Sequence, residues 1–190
     1  IGKLAALENT IITSVNLDDT QIDSIGSIVH LTSLTSLSAI LNNIANIDGI
    51  ENLINLNTLR LQHNKIVDMS KIIVLDNLTS LTISDNSITT FPNLLNVPNP
   101  PKLAKLKTLS LDRNPLESIT VLKDLSNLDS LTIRDTGIFD TTWIVNLTNL
   151  TYLDIRDNFI SDLSNLNTLI SNQIILPSSP RLSSLFIGRN

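Results

Sequence analysis

Residues 56–66 read LNTLRLQHNKI, residues 78–88 read LTSLTISDNSI and residues 150–160 read LTYLDIRDNFI. Three eleven-residue stretches on one pattern call for a period before any strand or helix is assigned. Aligned on its first apolar residue, the phrase recurs at Ile12, Leu34, Leu56, Leu78, Leu106, Leu128, Leu150 and Leu182, with separations of 22, 22, 22, 28, 22, 22 and 32 residues. Within a copy the apolar positions keep fixed offsets: from Leu56 they run Leu59, Leu61, Ile66, Met69, Ile72, Leu75 and Leu78.

Those offsets have a physical reading. Leu59 and Leu61 are two apart, so both point to one side of a short strand while Thr58, Arg60 and Gln62 point to the other. Beyond Asn64 the apolar spacing becomes three, which suits 3₁₀ turns or extended backbone better than an α-helix. One copy is therefore a strand, a turn at the Asn and a tight return segment. A lone coil of this kind cannot bury its apolar side, whereas stacked coils share one continuous core.

Composition agrees and excludes much. The 190 residues suffice for one domain with a sizeable core, and with 42% hydrophobic but 3% aromatic residues that core must be aliphatic. A net charge of −5 argues against nucleic acid, whose binders carry a basic stripe. The absence of Cys removes disulfides, thiolate metal sites and cysteine nucleophiles. No apolar run approaches the roughly 18–20 residues that cross a bilayer, so no membrane insertion is expected within this segment.

The phrase resembles the leucine-rich repeat, L-x-x-L-x-L-x-x-N-x-L/I, along nearly the whole chain. Its 22-residue length and its I-x-x-I/L-x-x-L-x-x-L return are similar to the internalin branch of bacterial surface proteins. The resemblance implies an α/β solenoid, right-handed and curved. Short parallel strands line its concave face, and 3₁₀ or extended segments form the convex one. It also implies that Asn42, Asn64, Asn86, Asn114, Asn158 and Asn190 form a buried structural ladder, with Thr20 and Thr136 as weaker rungs. An amide both donates and accepts, which suits backbone groups that must be paired between coils.

Residues 1–190 read as a single leucine-rich-repeat domain of about eight coils. Residues 1–9 read as the remnant of a helical N-terminal cap, and the natural protein is expected to continue beyond 190. Insertions near 96–101, rich in Pro, and near 171–180 are expected to bulge outward. Beyond the N-terminal stub, little α-helix is expected. The strands are expected around Ser14–Leu17, Ser36–Ala39, Thr58–Leu61, Ser80–Ile83, Thr108–Leu111, Ser130–Ile133, Tyr152–Ile155 and Ser184–Ile187.

Catalytic signals are missing. His30 and His63 lie one and a half repeats apart, on opposite sides of the coil, and no zincin, nucleophile-elbow or phosphate-loop pattern is present. Asn16–Thr20 carries two adjacent carboxylates without the spacing of a calcium loop. No enzymatic activity, metal or cofactor is expected. The sequons at Asn77, Asn146 and Asn149 each sit just ahead of a Leu and read as by-products of the repeat.

What remains is the outward side of the strands. The first column reads Ser14, Ser36, Thr58, Ser80, Thr108, Ser130, Tyr152, Ser184, and the second Asn16, Ser38, Arg60, Thr82, Ser110, Thr132, Asp154, Phe186. A third runs from Asp18 through Asp112, Arg134 and Arg156 to Gly188. Small hydroxyls dominate until the last coils, where five of the chain's six aromatics fall between Phe139 and Phe186. Trp143 is expected to be partly exposed on the return side. Opposite charges are expected to pair as Asp112 with Arg134 and Arg113 with Asp135. Arg134 beside Arg156 places like charges together, a conflict that an acidic group from a partner would relieve. Arg134, Tyr152, Asp154, Arg156 and Phe186 are therefore the candidate protein-binding site on the concave face, in residue types enriched at interface hot spots.

The internalin resemblance implies a monomeric, extracellular or cell-surface bacterial protein that binds another protein, such as a host or cell-surface protein. A cytoplasmic scaffold or phosphatase-regulatory-type subunit is the alternative, and a structural surface-layer component a third.

Overall fold

A computed structural model describes residues 11–92, 94, 102–175 and 181–190. The expectations for the N-terminal cap and for the insertion near 96–101 fall outside these residues. So does the second half of the insertion near 171–180.

Eight three-residue strands, β1 (Ser14–Asn16), β2 (Ser36–Ser38), β3 (Thr58–Arg60), β4 (Ser80–Thr82), β5 (Thr108–Ser110), β6 (Ser130–Thr132), β7 (Tyr152–Asp154) and β8 (Ser184–Phe186), form one sheet in chain order. Every pairing is parallel and in the register of the repeat: Leu37, Leu59 and Leu81 stand side by side, as do Leu109, Leu131 and Leu153. The strands end one residue earlier than expected because the chain is already turning. Three residues past the strand, Asp19, Leu41, His63, Asp85, Arg113, Asp135, Asp157 and Arg189 all take positive φ, between 50° and 60°. Four of the eight are Asp, which tolerates the left-handed region better than most residues.

The apolar ruler is the core. Leu56, Leu59, Leu61, Ile66, Ile72, Leu75 and Leu78 are fully buried, and Met69 nearly so. Short 3₁₀ helices carry the return segments at Ile50–Asn52, Ser70–Val74, Thr120–Asp124 and Thr142–Asn146, in keeping with the three-residue spacing. Gly49 is required where it stands: its φ is 91°, and a Cβ there would lie 2.5 Å from Val29 Cγ1 in the coil before.

Two expectations about the return side are corrected. The seventh return is an α-helix, α1 (Ser164–Ile175), not an extended or 3₁₀ segment. The ten extra residues before Leu182 supply its length, and Leu166, Leu169 and Gln173 face inward at helical spacing. Trp143 is 1% exposed, not partly open. Helix α1 lies against its 3₁₀ helix, and its indole N–H donates to the Asp140 carbonyl at 2.7 Å.

The Asn ladder forms. Asn86, for example, donates through Nδ2 to the carbonyls of Leu61 in the preceding coil and Ile83 in its own, while its Oδ1 accepts the Ile66 N–H at 2.9 Å. Asn42, Asn64, Asn114 and Asn158 repeat the arrangement. Asn190 is exposed, yet its Oδ1 still accepts the Asn158 N–H at 3.2 Å. A second ladder was not anticipated. Asn55, Asn77, Asn127 and Asn149, each just ahead of a phrase leucine, donate to the carbonyl 23 residues earlier. Thr79 and Thr151 do the same at 22 residues. The Asn-Leu-Thr tripeptides at Asn77 and Asn149 are thus built into the coil-to-coil bonding.

Candidate protein-binding surface

The sheet face is set by strand register, so neighbours in a column are neighbours in space. Tyr152 pairs with Ser130 on one side and Ser184 on the other, and Asp154 with Thr132 and Phe186. Over coils four to six the face is a chain of hydroxyls: Ser84 Oγ to Ser110 Oγ and Ser110 Oγ to Thr132 Oγ1, each 2.7 Å. These hydroxyls bond to one another along the strands.

At β7 and β8 the character changes. The rings of Tyr152 and Phe186 are 5.5 Å apart and tilted by 43°, a favourable aromatic geometry. The guanidinium of Arg156 lies 4.9 Å above the Phe186 ring. Asp154 holds it there: Oδ1 accepts the Arg156 backbone N–H at 3.2 Å and Nε–H at 2.9 Å, and Oδ2 accepts Nη2–H at 2.6 Å. Asp154 is 2% exposed, a buried carboxylate gripped by a two-pronged cation. That partnership also holds the Arg156 guanidinium above its ordinary pKa.

Arg134 joins the same network from the preceding coil. Its Nη2 donates to Asp157 Oδ2 at 3.1 Å, while its Nε stands 3.9 Å from Asp154 Oδ2, beyond hydrogen-bond reach and shielded from solvent. Arg189 reaches Asp157 from the other side, with Nε 3.3 Å from Oδ1. The five sequence-predicted residues are therefore brought together on neighbouring strands.

The expected charge pattern is corrected in two places. Arg134 and Arg156 do not need an acid from outside, because Asp154 and Asp157 lie between and beside them. Arg113 does not pair with Asp135; its Nε and Nη2 donate to Asp85 in the coil before, at 2.5 and 2.6 Å. A bidentate fork on one carboxylate outweighs a single contact on the other side. Asp112 meets Arg134 through the backbone, accepting its N–H at 2.8 Å, and burial pushes its carboxyl above the usual carboxylate range.

Among the described residues no group of three His, Asp or Glu could hold a metal ion, and no helix is long and apolar enough to cross a membrane. His63 stands 3.6 Å from Asp85, a surface contact.

Repeating coils, a single parallel sheet and an Asn ladder define a leucine-rich-repeat solenoid. No protein-family model matches the sequence, and comparison with curated proteins returns no match. Solved structures do match. An internalin (inlF) from Listeria monocytogenes superposes with a TM-score of 0.79 at 32% identity, covering 92% of this chain and 47% of that one. An internalin C2 (inlC2) from the same species gives a TM-score of 0.73 at 25% identity, covering 93% of this chain and 80% of that one. The chain is an internalin-like leucine-rich-repeat protein, and it spans just under half the length of the first of these relatives.

Proposed function

We propose that this chain is a protein-interaction module. In this reading it is the repeat region of a bacterial surface or secreted adhesion protein, monomeric, that docks a protein on another cell. Its sheet face at β7 and β8 is the contact. The observation that carries the reading is the Tyr152–Phe186–Arg156 cluster. Two aromatic rings and a guanidinium stand on a face the repeat fills mostly with Ser and Thr, and a buried carboxylate holds the guanidinium in place. Tyr and Arg are the side chains that dominate interface energetics. A side chain already immobilised loses little freedom on binding, so the cluster is suited to contact without reorganisation. Arg134 and Asp154 serve by positioning Arg156.

The test is binding of fluorescently labelled chain to cultured mammalian cells, with and without protease treatment of the cell surface. Wild-type chain is expected to bind saturably and to lose binding when surface proteins are removed. The Tyr152→Ala/Arg156→Ala double variant, folded by circular dichroism, is expected to lose about thirtyfold in affinity, the loss of one strong hot spot. Equal binding by a folded double variant would move the site elsewhere.

A further inference from the structure

The aromatics of the last coils divide three ways. Tyr152 and Phe186 belong to the sheet face, and Trp143 is buried. Phe139 and Phe159 are left over, 73% and 75% exposed. They stand on the flank where the chain leaves the turn, three residues past Thr136 and one past Asn158. The ruler residues there are Ile138 and Ile160, both buried, so the fold does not require an aromatic at either place. In the first column other coils carry Asp23, Ala45, Val67, Thr89, Glu117 and Ser161, and in the second Gln21, Asn43, Lys65, Ser87, Pro115 and Gly137. Two exposed phenyl rings at neighbouring coils offer apolar surface beside the sheet face.

The flank is also hollow. Between coils five and six lies a cavity of about 470 Å³ whose walls include Leu116, Ile119, Ile138, Phe139 and Trp143. Gly137 is part of its lining, and where its Cβ would stand there is no atom within 4 Å. The next coil places Phe159 in the column of Gly137, with the Phe159 N–H bonded to the Ile138 carbonyl at 2.9 Å. A cavity of this volume accepts a few large side chains.

Charge selects the occupant. Glu117 and Asp140 border the cavity, and Asp162 follows one coil on. No Lys or Arg lines the cavity, and Lys123 adjoins it beyond Thr120. The N–H and hydroxyl of Ser164 hold the Asp162 carboxyl below the usual carboxylate range, so it is ionised at neutral pH. A second copy of the chain, with net charge −5, would bring the same acids to the same surface in a two-fold contact. We propose that this flank, separate from the sheet face, docks a short apolar segment of a partner protein flanked by Lys or Arg. The apolar side chains enter between Phe139 and Gly137, and the basic ones meet Glu117 and Asp140.

Trp143, the chain's single tryptophan, lines the cavity and reports its occupancy. The probes are two tryptophan-free synthetic peptides with one Leu-Phe-Leu core, flanked by lysines in the first and glutamates in the second. Titration of wild-type chain is followed by Trp143 emission and calorimetry. The lysine peptide is expected to give a saturable response and the glutamate peptide none. Phe139→Ala is expected to weaken the lysine peptide by about tenfold or more. Glu117→Lys is expected to reverse the preference, and Tyr152→Ala/Arg156→Ala to leave binding unchanged. Should Phe139→Ala unfold the coil, Phe159→Ser tests the same surface. No saturable response, equal response to both peptides, loss only in the sheet-face variant, or a sedimenting dimer that accounts for the emission change would each overturn the proposal. Because the sheet-face double variant is measured alongside, failure here is distinguishable from failure of the sheet-face site.

Discussion

Asn114 is 1% exposed and joins two coils. Its Oδ1 accepts the Ile88 N–H at 3.1 Å, and its Nδ2 donates to the carbonyls of Ile83 and Leu111 at 3.1 and 2.9 Å. Truncation to Ala leaves a buried N–H unpaired, so Asn114→Ala is expected to destabilise by about 1–3 kcal/mol. Thr136 shows the opposite case. Its hydroxyl lies 3.1 Å from the Ile133 carbonyl and 3.0 Å from Asn158 Oδ1, two acceptors that share its single proton, and it does not reach the Leu116 N–H that an amide would hold. That N–H turns instead to the carbonyls of Asn114 and Thr136, at 2.8 and 3.2 Å. Thr136→Asn is therefore expected to stabilise by about 0.5–1.5 kcal/mol. Guanidinium denaturation of both variants is the check, and two unchanged midpoints would remove the ladder as a source of stability.

Among the elements, the strands were readable to within a residue because a period of two against a fixed repeat leaves no freedom of register. Helix α1 was not. The same local device opens two of the 3₁₀ helices and the α-helix: an Asp carboxylate accepts the N–H two residues on, at Asp68, Asp140 and Asp162. What separates them is the length of chain before the next leucine, together with the 3-3-4 spacing of Leu163, Leu166, Leu169 and Gln173. That spacing was legible but was overshadowed by the repeat. Trp143 was misplaced for the same reason, since only a helix in the following coil covers its position. Gln173 fastens that helix. Its Nε2 donates to the Thr148 and Leu150 carbonyls at 3.1 and 2.8 Å, and its Oε1 accepts the Leu182 N–H at 2.9 Å. Gln173→Ala is expected to cost about 1–3 kcal/mol and to shift Trp143 emission to the red as α1 loosens. An unshifted spectrum with unchanged stability would show that apolar packing alone seats the helix.

At the scale of the molecule, column arithmetic placed the sheet-face residues correctly, because identical coils stack in identical register. It misjudged their ion pairs, since a long side chain reaches either neighbouring coil, and the choice depends on where a second nitrogen finds an oxygen. The flank cavity was invisible for a related reason: it is lined by residues of two neighbouring coils, Leu116 to Thr120 and Gly137 to Trp143, and follows no motif. Each coil bonds to its neighbours, so stability is distributed along one axis. Among the described residues, strands β2 to β7 are paired on both edges and β1 and β8 on one, and Ile12 and Leu185 in these coils are 42% and 36% exposed. Amides of β2 to β7 are thus expected to exchange with solvent more slowly than those of β1 and β8. Asn114→Ala sharpens the expectation, because its lost bonds lie between coils four and five. In guanidinium below the unfolding midpoint, hydrogen exchange measured by mass spectrometry should accelerate most in β4, β5 and β6 and hardly at all in β1. An equal acceleration in all eight strands would mean that the solenoid opens as one block and that coupling extends well beyond the adjacent coil.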